Sequence, residues 1–91
     1  MYTITDYSYK KAEQIGVIIK PSQKKNKKID VYNLNGEYIT SVGQAGMSDY
    51  PTYIESQGLE YADERRRLFY KRFGTNITKG SNLYYSAKLL W

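Results

Sequence analysis

The chain has 91 residues, a formal net charge of +5, and neither cysteine nor histidine. This length suits one domain spanning residues 1–91, and the missing residue types exclude a disulfide framework, a thiolate zinc site and a histidine-based catalytic triad. The positive charge favours an anionic partner such as nucleic acid, with solubility as the alternative. The eleven tyrosines combine an apolar ring with a polar hydroxyl, which suits a contact surface and equally a thin core with a solvated edge.

The first part of the chain contains one weakly patterned segment, one apolar run and one basic segment. Residues 1–14 show little periodicity and are predicted to form a flexible arm, an edge strand or a short turn. The β-branched run Ile15–Ile19 predicts a strand that Pro21 ends. Five lysines lie between Lys20 and Lys28 and repel one another, so this lysine segment is predicted to be an extended surface loop.

A β-hairpin over residues 28–42 is the clearest local prediction. Its centre is Asn35-Gly36, the preferred pair for a type I′ turn, in which both central residues have positive φ. A two-residue loop of this kind places Val31 opposite Thr40 in the neighbouring strand. The predicted core face of the hairpin consists of Ile29, Val31, Tyr38, Thr40 and Val42.

Three helices are predicted in the remainder of the chain. Ser48 or Asp49 is expected to cap a short helix that Gly58 ends. An arginine-rich helix follows over about residues 60–73, and Ser81 caps a last helix. The last helix is expected to place an apolar stripe in the core, consisting of Leu83, Ala87, Leu90 and Trp91.

These segments together predict a small α+β domain, in which an antiparallel sheet packs against two or three short helices. The sheet consists of the hairpin 28–42 and a strand near residues 15–20. No apolar run is long enough to span a membrane and no secretory signal is visible, so we expect an intracellular protein without a membrane partner.

Arginines interrupt the apolar side of the helix at 60–73. At about 100° per residue, its apolar residues cluster within an arc of about 140° that also contains Arg65 and Arg72. A surface helix ordinarily keeps charges on its other side, so each arginine is predicted to contact either an internal acid or an external anion. Arg67 is predicted to pair with Asp63 at the i,i+4 spacing. The acids considered for Arg65 and Arg72 are Asp49, Glu55 and Glu60.

Two basic clusters, the lysine segment and the arginine-rich helix, are the candidate nucleic-acid contacts. Lysine acts as a point charge on phosphate, arginine can form forked hydrogen bonds to phosphate or stack on bases, and tyrosine can stack on unpaired bases. A solvated surface is the alternative for most of these side chains. The predicted contacts are Lys24, Lys25, Lys27, Lys28, Arg65, Arg66, Lys71 and Arg72, with stacking or interface roles for Tyr32, Tyr61 and Tyr70.

Catalysis has little support in the residue pattern. The acids show no spacing typical of a metal site, so we expect neither a metal nor a cofactor. A nuclease that uses tyrosine, arginine and glutamate is compatible with the order of Tyr32, Tyr38, Glu55 and Arg65, but these residue types are common. We therefore expect a protein that is not an enzyme.

Several segments resemble a family of small uncharacterised proteins encoded by DNA viruses. The resemblance covers about residues 28–91. The matching parts are the hairpin, Gly43–Tyr50 with its Gly-Met-Ser-Asp-Tyr sequence, the helix from Glu64-Arg65-Arg66 through Arg72, and the end of the chain from Ser81 to Trp91. The resemblance implies a viral protein located in an infected host cell or within the virion, and it implies no mechanism. Helices of that family often end in Arg-His, whereas this chain has Arg72-Phe73.

Two functions follow from these observations as expectations. The first is a non-enzymatic viral protein that binds DNA or RNA mainly through electrostatic contacts. The second is a structural or capsid-assembly subunit of the virion, in which tyrosine and arginine form protein–protein interfaces with copies of the chain or with other capsid proteins.

Overall fold

A computed structural model describes residues 2–91 and confirms the α+β class. The described residues form one antiparallel sheet, with strand order β1-β2-β3, and four helices. The elements in chain order are α1 (Asp6–Ile15), β1 (Ile18–Pro21), β2 (Lys27–Tyr32), β3 (Tyr38–Gln44), α2 (Tyr50–Gln57), α3 (Leu59–Phe73) and α4 (Asn82–Leu90).

The prediction that residues 1–14 form an arm or an edge strand is wrong for the residues that the structure describes. Most of this segment belongs to helix α1. The side-chain oxygen of Thr5 accepts a hydrogen bond from the backbone N–H of Ser8 and caps the helix, and Gly16 ends it in the left-handed conformation at φ 74°. Ile15 therefore belongs to α1 rather than to the predicted strand. The helix buries only the small residues Ser8 and Ala12, which produce a weak apolar pattern in the sequence.

The turn between β2 and β3 differs from the predicted type I′ turn. The backbone N–H of Asn33 donates to the carbonyl of Glu37 at 2.9 Å, which encloses a three-residue loop. Gly36 has a φ of 84°, whereas Asn35 has no positive φ. The Asn33 side chain accepts from the backbone N–H groups of Asn35 at 3.0 Å and Glu37 at 2.9 Å, and these bonds stabilise the wider loop.

A bulge in β3 restores the register that the sequence predicts. Tyr32 lies opposite Tyr38 and Val31 lies opposite Thr40, so β3 contains one additional residue, Ile39, at this point. The three-residue loop shifts the pairing by one residue and the bulge shifts it back. Because successive side chains alternate between faces, Tyr38 does not join the predicted core face and is 47% exposed.

The core lies where α1 and α4 pack against each other and against the sheet. The hydroxyl of Ser8 donates to the carbonyl of Leu89 at 2.6 Å and joins the two helices inside the protein. Within the predicted stripe of α4, Ala87 and Leu90 are buried, and Trp91 is half-buried. The core cluster consists of Ile4, Ala12, Ile19, Ile29, Val31, Val42, Leu89 and Leu90.

Helices α2 and α3 form a helical hairpin around Gly58. Asp49 caps α2 as predicted: its carboxylate accepts from the backbone N–H of Thr52 at 3.1 Å, and the Thr52 hydroxyl oxygen accepts from the N–H of Asp49 at 2.9 Å. Helix α3 packs mainly against α2 and buries only Ala62 completely. Most of its other side chains are exposed.

We expect Gly43→Ala to destabilise the fold more than Gly46→Ala. Both glycines have similar φ, 79° and 89°, and an alanine in this conformation costs about 1–2 kcal/mol. A Cβ at Gly43 would also lie 2.8 Å from Cδ1 of Leu90 and 2.9 Å from Cδ of Lys28, whereas the space at Gly46 is open. Overpacking of this kind costs a further 1–3 kcal/mol, approximately. Urea unfolding measures both free energies, and equal losses would contradict this account of Gly43.

Candidate functional site

A buried ion pair joins the sheet to helix α2. Nζ of Lys28 lies 2.8 Å from Oδ2 of Asp49, and the two side chains are only 4% and 1% exposed. The hydroxyl of Tyr2 donates to the same carboxylate oxygen at 2.8 Å. Burial of Tyr2 and its hydrogen bond to Asp49 raise the pKa of this phenol well above its ordinary value, so it remains a donor. The prediction that Lys28 contacts nucleic acid is therefore wrong, because its charge is buried and paired.

A groove of about 460 Å³ opens beside this ion pair. Helix α3 forms one side, the start of β2 and the end of β3 form the other, and the end of α4 contributes to the lining. This binding groove contains cationic and aromatic side chains together. The lining residues that matter for its chemistry are Lys27, Arg65, Phe69, Arg72, Phe73 and Trp91.

Arg65 and Arg72 line the same groove, and aromatic rings rather than acids lie beside them. Within residues 2–91, no carboxylate approaches either guanidinium within 4.0 Å, so the structure excludes the predicted internal ion pairs. The guanidinium carbon of Arg65 lies 5.5 Å from the centre of the Tyr53 ring, and that of Arg72 lies 5.1 Å from the centre of the Phe73 ring. Both cations therefore keep donors for an external anion.

The charge of the binding groove is strongly positive. Its lining contains four cationic side chains and one acidic side chain, that of Asp49. Because Asp49 is paired with Lys28, the charges of Lys27, Arg65 and Arg72 have no acidic neighbour in the groove to neutralise them. A ligand that carries several negative charges would be attracted to this surface.

Three rings form an aromatic surface in the groove. The rings of Phe69 and Trp91 are stacked, with their centres 4.9 Å apart and 11° between their planes. The ring of Phe73 lies 4.9 Å from that of Phe69 and remains 43% exposed. Met47 adds a flexible apolar side chain that is 61% exposed. Apolar surface that is open to solvent and bordered by cations is typical of a ligand site rather than of a core.

The other arginines of α3 lie away from the groove. Arg66 is half-buried, with its guanidinium carbon 4.9 Å from the centre of the Tyr50 ring. Arg67 pairs with Glu64, with an N–O distance of 2.6 Å, rather than with Asp63 as predicted. Asp63 instead accepts a hydrogen bond from the hydroxyl of Tyr50 at 2.7 Å. These side chains stabilise the helical hairpin and its contacts.

The remaining predicted lysines are exposed and differ in their relation to the groove. Lys27 lines the groove, whereas Lys24 and Lys25 are exposed loop residues that precede it in the chain and lie outside the lining. The ammonium of Lys24 donates to the hydroxyl of Tyr38, and this bond holds the pKa of Tyr38 below its ordinary value. Lys71 is exposed but is not part of the groove lining.

The three tyrosines predicted to stack or form an interface do not line the groove. Tyr32 is half-buried and lies against Tyr38. Tyr61 is 46% exposed and packs against Tyr53, which does line the groove. Tyr70 is half-buried beside Phe69.

The sequence prediction missed the aromatic surface as a binding element. The sequence places Phe69 and Phe73 in the apolar arc of α3 and Trp91 in the core stripe of α4, and Trp91 does pack against the core while it also lines the groove. Periodicity alone cannot show that α3 leaves its flank uncovered, because this depends on how the helical hairpin packs. The one local signal is the proximity in sequence of Arg72 and Phe73, a cation next to a ring at the end of a helix.

A hydrogen-bonded cluster around Asp30 orders the lysine segment. One carboxylate oxygen of Asp30 accepts from the hydroxyls of Ser22 and Ser41, each at 2.6 Å. Burial raises the pKa of Asp30, but these bonds and the positive charge of Lys24 outweigh the burial and hold the pKa below its ordinary value. The cluster joins the loop to β3 and thereby helps to position Lys24.

No protein-family model, curated protein or solved structure matches this chain. The resemblance to the viral proteins therefore stays a prediction. Among residues 2–91, no helix combines the length and apolarity needed to cross a membrane. The same residues contain no group of three or more acids placed to hold a metal ion.

The ion pair predicts strong coupling between Lys28 and Asp49. We expect Asp49→Asn to lower the free energy of unfolding by about 3–5 kcal/mol, because it leaves a buried ammonium unpaired while asparagine still caps α2. Lys28→Met should be similarly costly alone, and the double variant should lose much less than the sum of the two. Denaturant unfolding of all four proteins measures this coupling, and additive losses would contradict it.

The Asp30 cluster predicts a pH-dependent effect of Ser22→Ala. Near pH 7 the change should lower the free energy of unfolding by about 1.5–3 kcal/mol, because it removes a hydrogen bond to a buried carboxylate. A depressed pKa in the folded state stabilises the protein above the ordinary aspartate pKa, and this stabilisation disappears as Asp30 is protonated. The difference from the unchanged protein should therefore shrink below about pH 4. The matched control is Ser56→Ala on the exposed side of α2, and a pH-independent difference for Ser22→Ala would contradict this role.

Proposed function

We propose that the protein binds nucleic acid through the binding groove and does not catalyse a reaction. The observation that carries the proposal is that Arg65 and Arg72 line one groove with no acid beside either. A guanidinium that lies over an aromatic ring is oriented by the ring and keeps its N–H groups for phosphate oxygens. Two such groups on one wall suit a ligand with repeated negative charges.

The exposed lysines that precede Lys27 in the chain support a polyanion rather than a single small anion. Lys27 lies at the groove, and Lys24 and Lys25 lie in the exposed loop before it. The two basic clusters, distant in sequence, therefore meet at the groove. A phosphate backbone in the groove would contact both arginines and Lys27, and the charges of Lys24 and Lys25 would attract the chain beyond it.

The other predicted cations contribute less in this proposal. Arg66 is half-buried over Tyr50 and lies outside the groove lining. Lys71 lies outside the lining as well and acts only through its long-range charge. Binding is expected to depend strongly on salt and weakly on sequence, because phosphate contacts carry no base identity.

We expect a double variant, Arg65→Gln with Arg72→Gln, to weaken binding of an oligonucleotide of about 12 nucleotides by about 10-fold or more. The slope of log affinity against log salt should decrease by about 1.5, since each lost phosphate contact contributes about 0.7–0.9. Fluorescence anisotropy with a labelled oligonucleotide, from about 50 to about 200 mM salt, measures both quantities.

The matched control is Arg67→Gln with Lys71→Gln, which removes the same charge from the same helix outside the groove. This control should change the affinity only slightly, and circular dichroism checks that both variants fold. Equal losses in the two double variants would contradict the groove as the site. Absence of any binding by the unchanged protein, to DNA and to RNA, would refute the function itself.

A second candidate function is a structural or capsid-assembly subunit of a virion. The observation that favours it is that α3 exposes several large apolar side chains, and an exposed apolar patch of this kind is typical of a protein–protein contact. Light scattering of the protein alone and with candidate capsid proteins separates the two functions, because a monomer with no protein partner argues against assembly. The exposed side chains are Leu59, Tyr61, Leu68 and Phe73.

A further inference from the structure

We infer that the nucleic acid bound in the groove is single-stranded and that one unpaired base lies against the aromatic surface of Phe69, Phe73 and Trp91. This inference rests on the proposed function and identifies the class of its ligand. It depends on the presence of unpaired cations and partly exposed rings in one groove. Phosphate contacts would explain the cations but not the rings.

The cations suit the phosphate of a nucleotide, and the rings suit its base. Arg72 lies beside Phe73, with 5.1 Å between the guanidinium carbon and the ring centre. A base stacked on the aromatic surface would therefore keep its attached phosphate close to a guanidinium. Arg65 lies two helical turns away on the same wall and could contact a neighbouring phosphate of the same strand. Ring and cation together are the usual means of binding single strands.

The exposed apolar surface disfavours a duplex as the ligand. In a double helix the base faces are stacked on one another, so a protein reaches only base edges and the phosphate backbone. Such a ligand would leave Phe73, which is 43% exposed, and Met47, which is 61% exposed, without an apolar partner. An unpaired base offers a flat face of the required kind.

The size of the groove is also that of a small-ligand site. Its volume of about 460 Å³ falls within the range of about 300–1,000 Å³ typical of pockets that take small molecules. One base with its sugar fits a site of this size.

Trp91 provides a direct optical test of this inference. It is the single tryptophan of the chain and lines the groove, so its fluorescence reports on a base stacked nearby. The probes are oligothymidylate of about 12 nucleotides, an abasic phosphodiester chain of equal length, a duplex of equal length, and thymidine monophosphate.

We expect oligothymidylate to quench the fluorescence of Trp91 and to bind at least about 5-fold more tightly than the abasic chain or the duplex, neither of which should quench it. Thymidine monophosphate should bind more weakly than oligothymidylate, because it lacks the neighbouring phosphates. Equal affinity of the abasic chain or of the duplex would overturn the inference and leave nucleic-acid binding intact. Equal affinity of the mononucleotide would identify a free nucleotide as the ligand and would also overturn it.

The change Phe73→Leu tests the aromatic surface itself, because leucine keeps an apolar side chain and removes the ring. It should weaken oligothymidylate binding by about 5-fold and leave binding of the abasic chain unchanged. The control Tyr9→Leu replaces an exposed ring of α1 outside the groove and should affect neither probe. An equal loss for both probes, or no loss for either, would overturn the inference. Failure of every probe to bind the unchanged protein would instead refute the proposed function.

Discussion

The buried contact between Lys28 and Asp49 determines how the two parts of this small domain are joined. Asp49 accepts from Lys28 in β2 and from Tyr2, and it also caps α2. Because α3 packs mainly against α2, the position of Arg65 relative to Lys27 depends on this carboxylate. A buried ion pair contributes little net stability compared with apolar packing, but it is costly to break and therefore fixes relative orientation. The pair also occupies the one acidic side chain of the groove lining, so the same contact that orients the groove leaves it positively charged.

The helices with strong local signals could be predicted from the sequence, whereas the N-terminal helix could not. Asp49 and Gly58 delimit α2, and Ser81 caps α4, because side-chain caps and glycine act locally and do not depend on tertiary packing. Helix α1 buries Ser8 and Ala12, whose small size leaves little apolar periodicity to detect. The predicted register of the hairpin is confirmed although its turn is wrong, because the wider loop and the bulge displace the pairing in opposite directions.

The candidate site could be predicted only in part. Helical geometry indicated that Arg65 and Arg72 share one side of α3 and need a partner, and they do lie in one groove. That no internal acid lies beside them could not be predicted, because it depends on tertiary contacts and not on the periodicity of one helix. Asp49, one of the acids considered, is paired with Lys28 instead. Lys28 itself was misassigned because a lysine within a basic run looks like a surface residue. Its burial depends on Gly43, which has no side chain to occupy the space beside it.

The exposed flank of α3 affects stability, because a domain of this size has little apolar surface with which to build a core. Leaving Leu68 and Phe73 uncovered forgoes burial that would otherwise stabilise the fold, so a partner that covers them would recover part of that free energy. A protein partner could supply apolar contacts, but it would also need acids placed opposite Arg65 and Arg72, since burying either guanidinium unpaired is costly. A single strand of nucleic acid supplies phosphates and flat bases in alternation along one chain. The groove lining likewise contains both cations and aromatic rings, which makes a single strand the simpler complement to this surface.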